Sequence, residues 1–437
     1  MNAATGTDAP RSPLRRLLGL AVDVHDGELP AMAWSFLYFF FLLASYYVLR
    51  PLRDEMGIAG GVQRLPWLFT GTLLVMFLAV PLWSALAARL PVRRLIPIVY
   101  GFFLLNLLGF FAAFQVAGAQ VWAARAFFIW TSVFNLFVVS IFWSLMADLF
   151  REGQGKRLFG FISAGGGAGA IAGPLLTALV VGQVGPIRLL LIAAGLLGIA
   201  ALCAGRAIKH AAPRPADAKP SDLGLSHDGD RGVGGDAWAA VRLLVRSRLL
   251  TGIAVYVFLL TATGTLSYIV QARLIAGADL SPTTRTALFA RLDFYANVGS
   301  ALVQAFIAGR LIARFGVGTA LGLLPVLTIG GWAAMAAAPG LAVLVIVNVL
   351  RRVLEYAVAR PAREVLFTRL TREEKYKPKA LIDMVVYRGG DTLSSWTFTS
   401  LFQQGVAIPT MAVAAIPLGA VWLAVSVWLG RKHERAT

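Results

Sequence analysis

Residues 206–237, RAIKHAAPRPADAKPSDLGLSHDGDRGVGGDA, are the one long polar stretch in a 437-residue chain that is 58% hydrophobic and 14% charged. Proline, glycine and aspartate interrupt every apolar period in it, so it reads as a linker between folded parts. On both sides of it, apolar stretches of about 20 residues recur, the length a helix needs to cross a bilayer. Six precede the linker, near 31–50, 67–88, 95–115, 121–147, 157–182 and 187–205. Six follow it, near 250–271, 286–309, 316–337, 340–358, 380–403 and 409–430. The expected fold is an all-α polytopic membrane protein with twelve transmembrane helices in two halves of six.

The net charge of +18 invites a nucleic-acid reading, which the distribution of the charge removes. Loops 88–94, 148–157, 205–250, 309–315 and 359–379, with the two termini, carry 29 of the 40 Lys and Arg residues. The intervening loops carry six in all. Basic loops stay in the cytoplasm, and here they alternate with nearly neutral ones. Both termini are therefore expected in the cytoplasm, with some attraction to anionic headgroups. The expected segments are 1–30 (a cytoplasmic, partly amphipathic start without a cleavable signal), 31–205 (the first half), 206–249 (a cytoplasmic linker), 250–430 (the second half) and 431–437 (a cytoplasmic tail). Cys203 stands alone in an apolar span, which excludes a disulfide framework and a cysteine metal site. The four histidines fall in cytoplasmic segments. No nucleophile–base pair, metal cluster or soluble catalytic domain is visible, so no enzyme and no cofactor is expected.

The halves resemble each other. SYYVLRPLR (45–53) and SYIVQARLI (267–275) occupy equivalent positions, as do REGQGKRLFGFISAGGG (151–167) and REEKYKPKALIDMVVYRGG (372–390). Parallel repeats of six spans around a cytoplasmic linker resemble the major facilitator layout, which implies a midplane substrate site between the halves. AGGGAGAIAGP (164–174) resembles that group's antiporter motif, with Thr177 where a further glycine is usual. Close packing through small residues explains the same run. The loop ARLPVRRL lacks the acidic residue of the common major facilitator signature.

A charge in a helix interior costs roughly 2.5–3.5 kcal/mol on insertion scales and calls for a partner, water or a ligand. Arg351 with Glu355 and Arg50 with Asp54 are spaced i,i+4, and Arg388 with Asp391 i,i+3. Asp293, Asn297, Ser300 and Gln304 make one polar helix face; Asn348, Arg351, Arg352 and Glu355 make another. Arg50, Arg53, Arg125, Arg291, Arg351, Arg352 and Arg388 outnumber the inner acids, and guanidinium groups facing a cavity suit an anionic, phosphorylated or carboxylated substrate. The expected substrate-binding residues are Arg53, Arg125, Arg351, Arg388, Tyr47, Tyr268 and Asn348. The expected coupling or gating residues are Asp54, Asp148, Lys156, Asp293, Glu355, Glu364, Lys379, Asp383 and Asp391. Pro51 is expected to kink or end the first helix, and Asp383 to stand at the start of the eleventh. Tyr46, Phe128, Trp130, Tyr256 and Tyr356 are further rings able to stack or to fill the core.

FLLASYYVLRPLRDEM (41–56), ARPAREVLFTRLTREEKYKPKALID (359–383) and FWSLMADLFREGQGKRLFGFISAGG (142–166) resemble the ATP/ADP translocase family of plastids and intracellular bacteria. The matching positions are Arg53, Asp54, Pro361, Glu364, Lys375, Lys377, Lys379, Ala380, Ile382 and Asp383. Arg53 stands where that family carries lysine, and Arg-Gly-Gly-Asp (388–391) has no counterpart in it. The resemblance implies an exchanger of small anions in the lipid bilayer, working by alternating access on nucleotides of the ATP/ADP type, with basic residues on phosphate; a monomer in a bacterial inner membrane is expected. Two other readings remain at this point. One is a proton-coupled exporter of a drug, siderophore or other organic anion, with Asp293 or Asp391 carrying the proton. The other is a non-transporting scaffold or lipid-handling protein, in which the central arginines would be paired and dry.

Overall fold

The structure is a computed structural model that describes residue 25 and residues 27–211, 237–368 and 378–434. The amphipathic start, most of the linker and the lysine-spaced run at 369–377 lie outside the described residues.

Long apolar runs with few helix breakers leave the backbone one way to satisfy its hydrogen bonds in lipid, which is helix. The first six are α1 (Glu28–Ala59), α2 (Leu65–Arg89), α3 (Val92–Ala113), α4 (Gln120–Leu149), α5 (Glu152–Val184) and α6 (Leu189–His210). After the linker come a short α7 (Ala237–Arg246) and then α8 (Arg248–Gly277), α9 (Pro282–Val303) and α10 (Gly309–Ala337). Last are α11 (Leu341–Leu354), α12 (Arg360–Phe367), α13 (Tyr387–Gln403) and α14 (Ile408–Glu434). Among the described residues, nine helical stretches are long and apolar enough to cross a membrane. One of them, Pro282–Ala337, is two helices joined across a kink at Gly316, whose φ of 79° is a left-handed value open to glycine.

α1 does not end at Pro51. It runs on to Ala59, because a proline forfeits only one intrahelical bond and the end is held from outside: Arg125 Nε donates to the Gly60 carbonyl at 3.0 Å. This extension brings Arg50 and Arg53 into the helix rather than a loop. Three π-helical turns interrupt the second set of helices, at Gln304–Ala308, Glu355–Ala359 and Ile382–Val386. The helix preceding α13 begins by residue 378, so Asp383 lies in the third π turn and not at a helix start.

Buried apolar side chains form three cores. The first comes wholly from α1–α6, with Tyr38, Phe103, Phe142 and Leu197. The second comes from helices after the linker, with Tyr256, Leu321, Leu366 and Trp422. The third unites Ile58, Leu65, Phe69 and Phe128 with Ile269, Phe289, Phe402 and Met411. It lies at the end of the molecule remote from the linker, called the far end below. The helices on either side of the linker meet chiefly as α5 against α9, α1 against α9 and α2 against α13. The glycine run in α5 packs on α1: a Cβ at Gly169 would strike the Phe40 carbonyl, and one at Gly173 would stand 2.7 Å from the Ala44 carbonyl. Small residues there serve close packing, and Thr177, in place of the motif's further glycine, turns its hydroxyl back to the Gly173 carbonyl at 3.0 Å.

Candidate functional site

Below the third core a cavity of about 630 Å³ opens between the two sets of helices. Its charged lining is six arginines (Arg50, Arg53, Arg351, Arg352, Arg360 and Arg388) against three carboxylates, Asp54, Glu355 and Asp391. They come from α1, from the α11–α12 segment and from α13. Polar faces of α8 and α9 complete it, with Gln271, Asn297, Ser300 and Gln304, and α4 adds Asn135.

The ion pairs divide the arginines into sets. Asp293, almost wholly buried on α9, sits between Arg352 Nη2 at 2.5 Å and Arg50 Nη1 at 3.6 Å, and so ties α1 to α11. Glu355 lies between Arg351 at 3.5 Å and Arg360 at 3.7 Å. Asp391 accepts the Thr265 hydroxyl at 2.9 Å, with Arg388 at 3.8 Å. Asp54 takes Arg53 at 3.2 Å and the Tyr268 hydroxyl at 3.3 Å, so the i,i+4 pairing of Arg50 with Asp54 is not formed. Each carboxylate is shared or reached at the long end of the ion-pair range. Arg53 Nε, Arg351 Nη1 and Arg352 Nε are buried and have no hydrogen-bond acceptor among the described residues. Buried donors of this kind call for acceptors.

Most of the sequence-derived binding set is brought together: Arg53, Arg351, Arg388, Tyr47, Tyr268 and Asn348 all line the cavity. Asn348 donates to Gln271 Oε1 at 2.6 Å and fixes the α8–α11 contact. Arg125 is not brought there. It holds the end of α1 and stacks 4.8 Å over the Trp122 ring at the far end, since α4 starts there. Arg291 also stays out, exposed on the outer surface of α9. Tyr46 and Tyr356 line the cavity, whereas Phe128, Trp130 and Tyr256 pack in the protein, Phe128 beneath Arg53 at 4.0 Å.

Arg360 and Tyr387 join the lining unannounced. Arg360 reads as a loop residue in sequence; the π turn before it adds one residue to the helix and rotates Arg360 onto the face of Arg351 and Glu355. Of the expected gating residues, Asp54, Glu355 and Asp391 line the cavity and Asp293 lies just behind its arginines. Asp383 pairs with Arg363 at 3.1 Å, and Glu364 with Lys379 at 2.5 Å, both at the linker end. Asp148 and Lys156 stand at that end too, near the close of α4 and the opening of α5. There Glu28 accepts from Gln154 at 2.8 Å and Arg157 at 3.0 Å, joining the starts of α1 and α5.

A helical membrane protein with a charged cavity between two sets of helices is the build of a secondary transporter, and a model of the Major Facilitator Superfamily matches residues 29–350. The chain belongs to that superfamily. It is similar to "ADP,ATP carrier protein 1" of Chlamydia muridarum (strain MoPn / Nigg), 24% identical with 95% of this chain and 91% of that protein covered. The protein of the same name from Chlamydia trachomatis serovar D is 23% identical over the same shares. The resemblance to ATP/ADP translocases drawn from three short segments thus extends along nearly the whole chain. Among solved structures, a bacterial homologue of the iron transporter ferroportin in an inward-facing state has a TM-score of 0.65 at 12% identity, covering 92% of this chain and 99% of that one. The nucleoside transporter NupG has a TM-score of 0.57 at 12% identity, covering 93% and 98%. Both likenesses concern the fold.

Proposed function

We propose that this protein is a nucleotide exchanger of the ATP/ADP type that works by alternating access. The observation that carries the reading is the convergence of six arginines from both sides of the linker on one cavity with only three carboxylates. Guanidinium forks bind phosphate oxygens two at a time, and Tyr46, Tyr47, Tyr356 and Tyr387 offer rings for a base. The ADP,ATP carrier relatives support the substrate class.

The proposed topology is twelve spans in two halves, 31–205 and 250–430. The kink at Gly316 divides one of the nine apolar stretches into two proposed spans. Leu341–Phe367 and 378–403 supply two more, less apolar than the nine because they carry the site's charges. With basic loops at the linker end, that end faces the cytoplasm, both termini included, and the protein resides as a monomer in a bacterial inner membrane. The third core then closes the outside, and the cavity opens inward.

The test is counterflow in proteoliposomes loaded with ADP, with labelled ATP outside and Arg53→Ala and Arg351→Ala as controls. Uptake that requires internal ADP and fails in both variants is expected. An intact, reconstituted protein that takes up no ATP overturns the nucleotide assignment. Uptake that follows an imposed pH gradient without internal substrate overturns exchange in favour of proton coupling.

A further inference from the structure

Arg291 is the intramembrane arginine that neither the cavity nor the helix ends absorb. It stands on α9 nine residues in from Pro282, about 13 Å along the axis. Tyr295, Leu302 and Phe306 follow it at i+4, i+11 and i+15 and are 54–61% exposed, so this helix face looks into the bilayer. Arg291 is the one charge on that face between Pro282 and Phe306, and among the described residues it has no ion pair or hydrogen bond. A cation on a lipid-facing helix needs an anion or the interface within reach, and a long arginine stem lets the head rise toward the headgroups.

Beside it the surface is not flat. A crevice of about 450 Å³ runs between α5 and α9 at the far end, walled by Leu179, Gly182, Leu288 and Leu341 and lined also by Thr283, Thr284 and Arg291. Leu179 is 67% exposed, which leaves the crevice open to the bilayer. One cation with threonine hydroxyls on its far-end side, and the exposed Tyr295–Leu302–Phe306 face deeper along α9, are the complement of a phospholipid: phosphodiester, headgroup and acyl chain. We propose that this crevice binds an anionic membrane phospholipid, with Arg291 on its phosphodiester.

The two walls belong to opposite sides of the linker. Further along the same contact, Asn297 of α9 donates to the Ala170 carbonyl of α5 at 2.6 Å. The headgroup is held only while α5 and α9 remain side by side at the far end, so the lipid stabilises the closed far end. The inference depends on the chain spanning a membrane and not on the identity of its substrate.

Native mass spectrometry of the full chain, released from detergent without any nucleotide, tests it. Phosphatidylglycerol is the probe and phosphatidylcholine the control. The wild type is expected to retain phosphatidylglycerol in preference, and R291Q to lose that retention about tenfold. L179W, which fills the crevice and leaves the charge alone, is expected to lose it similarly at an unchanged melting temperature. Equal retention in the wild type and both folded variants overturns the proposal. So does displacement of the lipid by inorganic phosphate alone, because the acyl wall would then contribute nothing.

Discussion

Arg351 and Arg352 are adjacent in the chain yet serve different partners. Arg352 is bound to Asp293 at 2.5 Å and helps hold α1 to α11, while Arg351 meets Glu355 at 3.5 Å and keeps a buried Nη1 without an acceptor. Both keep a buried donor without an acceptor, but Arg351 has the looser ion pair and is the freer of the two to turn to a substrate. Arg351→Lys keeps the charge and loses the fork, at a cost of about 1.5 kcal/mol or more for one charged hydrogen bond. The KM for exchange should rise roughly tenfold with the melting temperature unmoved, measured by initial rates in proteoliposomes. Arg388→Ala should abolish exchange and leave folding intact, since among the described residues its one ion pair is a long one at 3.8 Å. Survival of transport would make Arg388 a bystander. At this scale, spacing along one helix finds Arg351–Glu355 and Arg388–Asp391. It cannot find Asp293 between Arg50 and Arg352, which depends on three helices meeting. Nor does an arginine's presence in a span tell which way it points: Arg125 and Arg291 have the same sequence signature as Arg351 and face elsewhere.

Among the elements, the long apolar helices are legible because lipid leaves the backbone no alternative. The π turns are not, since they follow from how helices pack around a cavity and leave no periodic mark. The turn at Glu355–Ala359 inserts one residue, and one residue in an α-helix is worth about 100° of rotation. Deleting Ala359 should restore an α-helical register, carry Arg360 off the cavity face and raise KM several-fold while the protein remains folded; an unchanged KM would deny Arg360 a place in binding. The glycine run of α5 makes a second case. Gly169 has the Phe40 carbonyl and Ala44 amide against it, whereas Gly167 has open space on its Cβ side. Gly169→Val should lower the melting temperature by several degrees by forcing α1 and α5 apart, and Gly167→Ala should not. Equal effects would mean that helix propensity, and not packing, decides this region.

For the molecule as a whole, the question is what holds the far end shut. Apolar contacts of the third core contribute, but they are not directional and tolerate sliding. The strongest directional element is Glu55 on α1, fully buried, whose two carboxylate oxygens accept from Arg285 Nε and Nη2 of α9, each at 2.7 Å; single hydrogen bonds from Tyr268 to Asp54 and from Trp396 to Thr70 also cross between the two sets of helices. Alone in a hydrophobic end, either partner would be an uncompensated charge, and breaking a buried pair by removing one member costs about 3–5 kcal/mol. That penalty is present only while the end is closed, because opening returns the survivor to water. Glu55→Gln should therefore shift the equilibrium toward an open far end, by 100-fold or more if about 3 kcal/mol is released. Cys203 is buried and can be replaced, so a Cys203→Ala background carrying Asn348→Cys in the cavity offers a readout. Labelling by an impermeant maleimide added from the far side should accelerate at least tenfold in Glu55→Gln. The double swap Glu55→Arg with Arg285→Glu should bring the rate back down, because the pair is reformed with its ends exchanged. If the single variant labels no faster than its parent, the third core and the remaining hydrogen bonds close the molecule and the ion pair only orients α1 on α9.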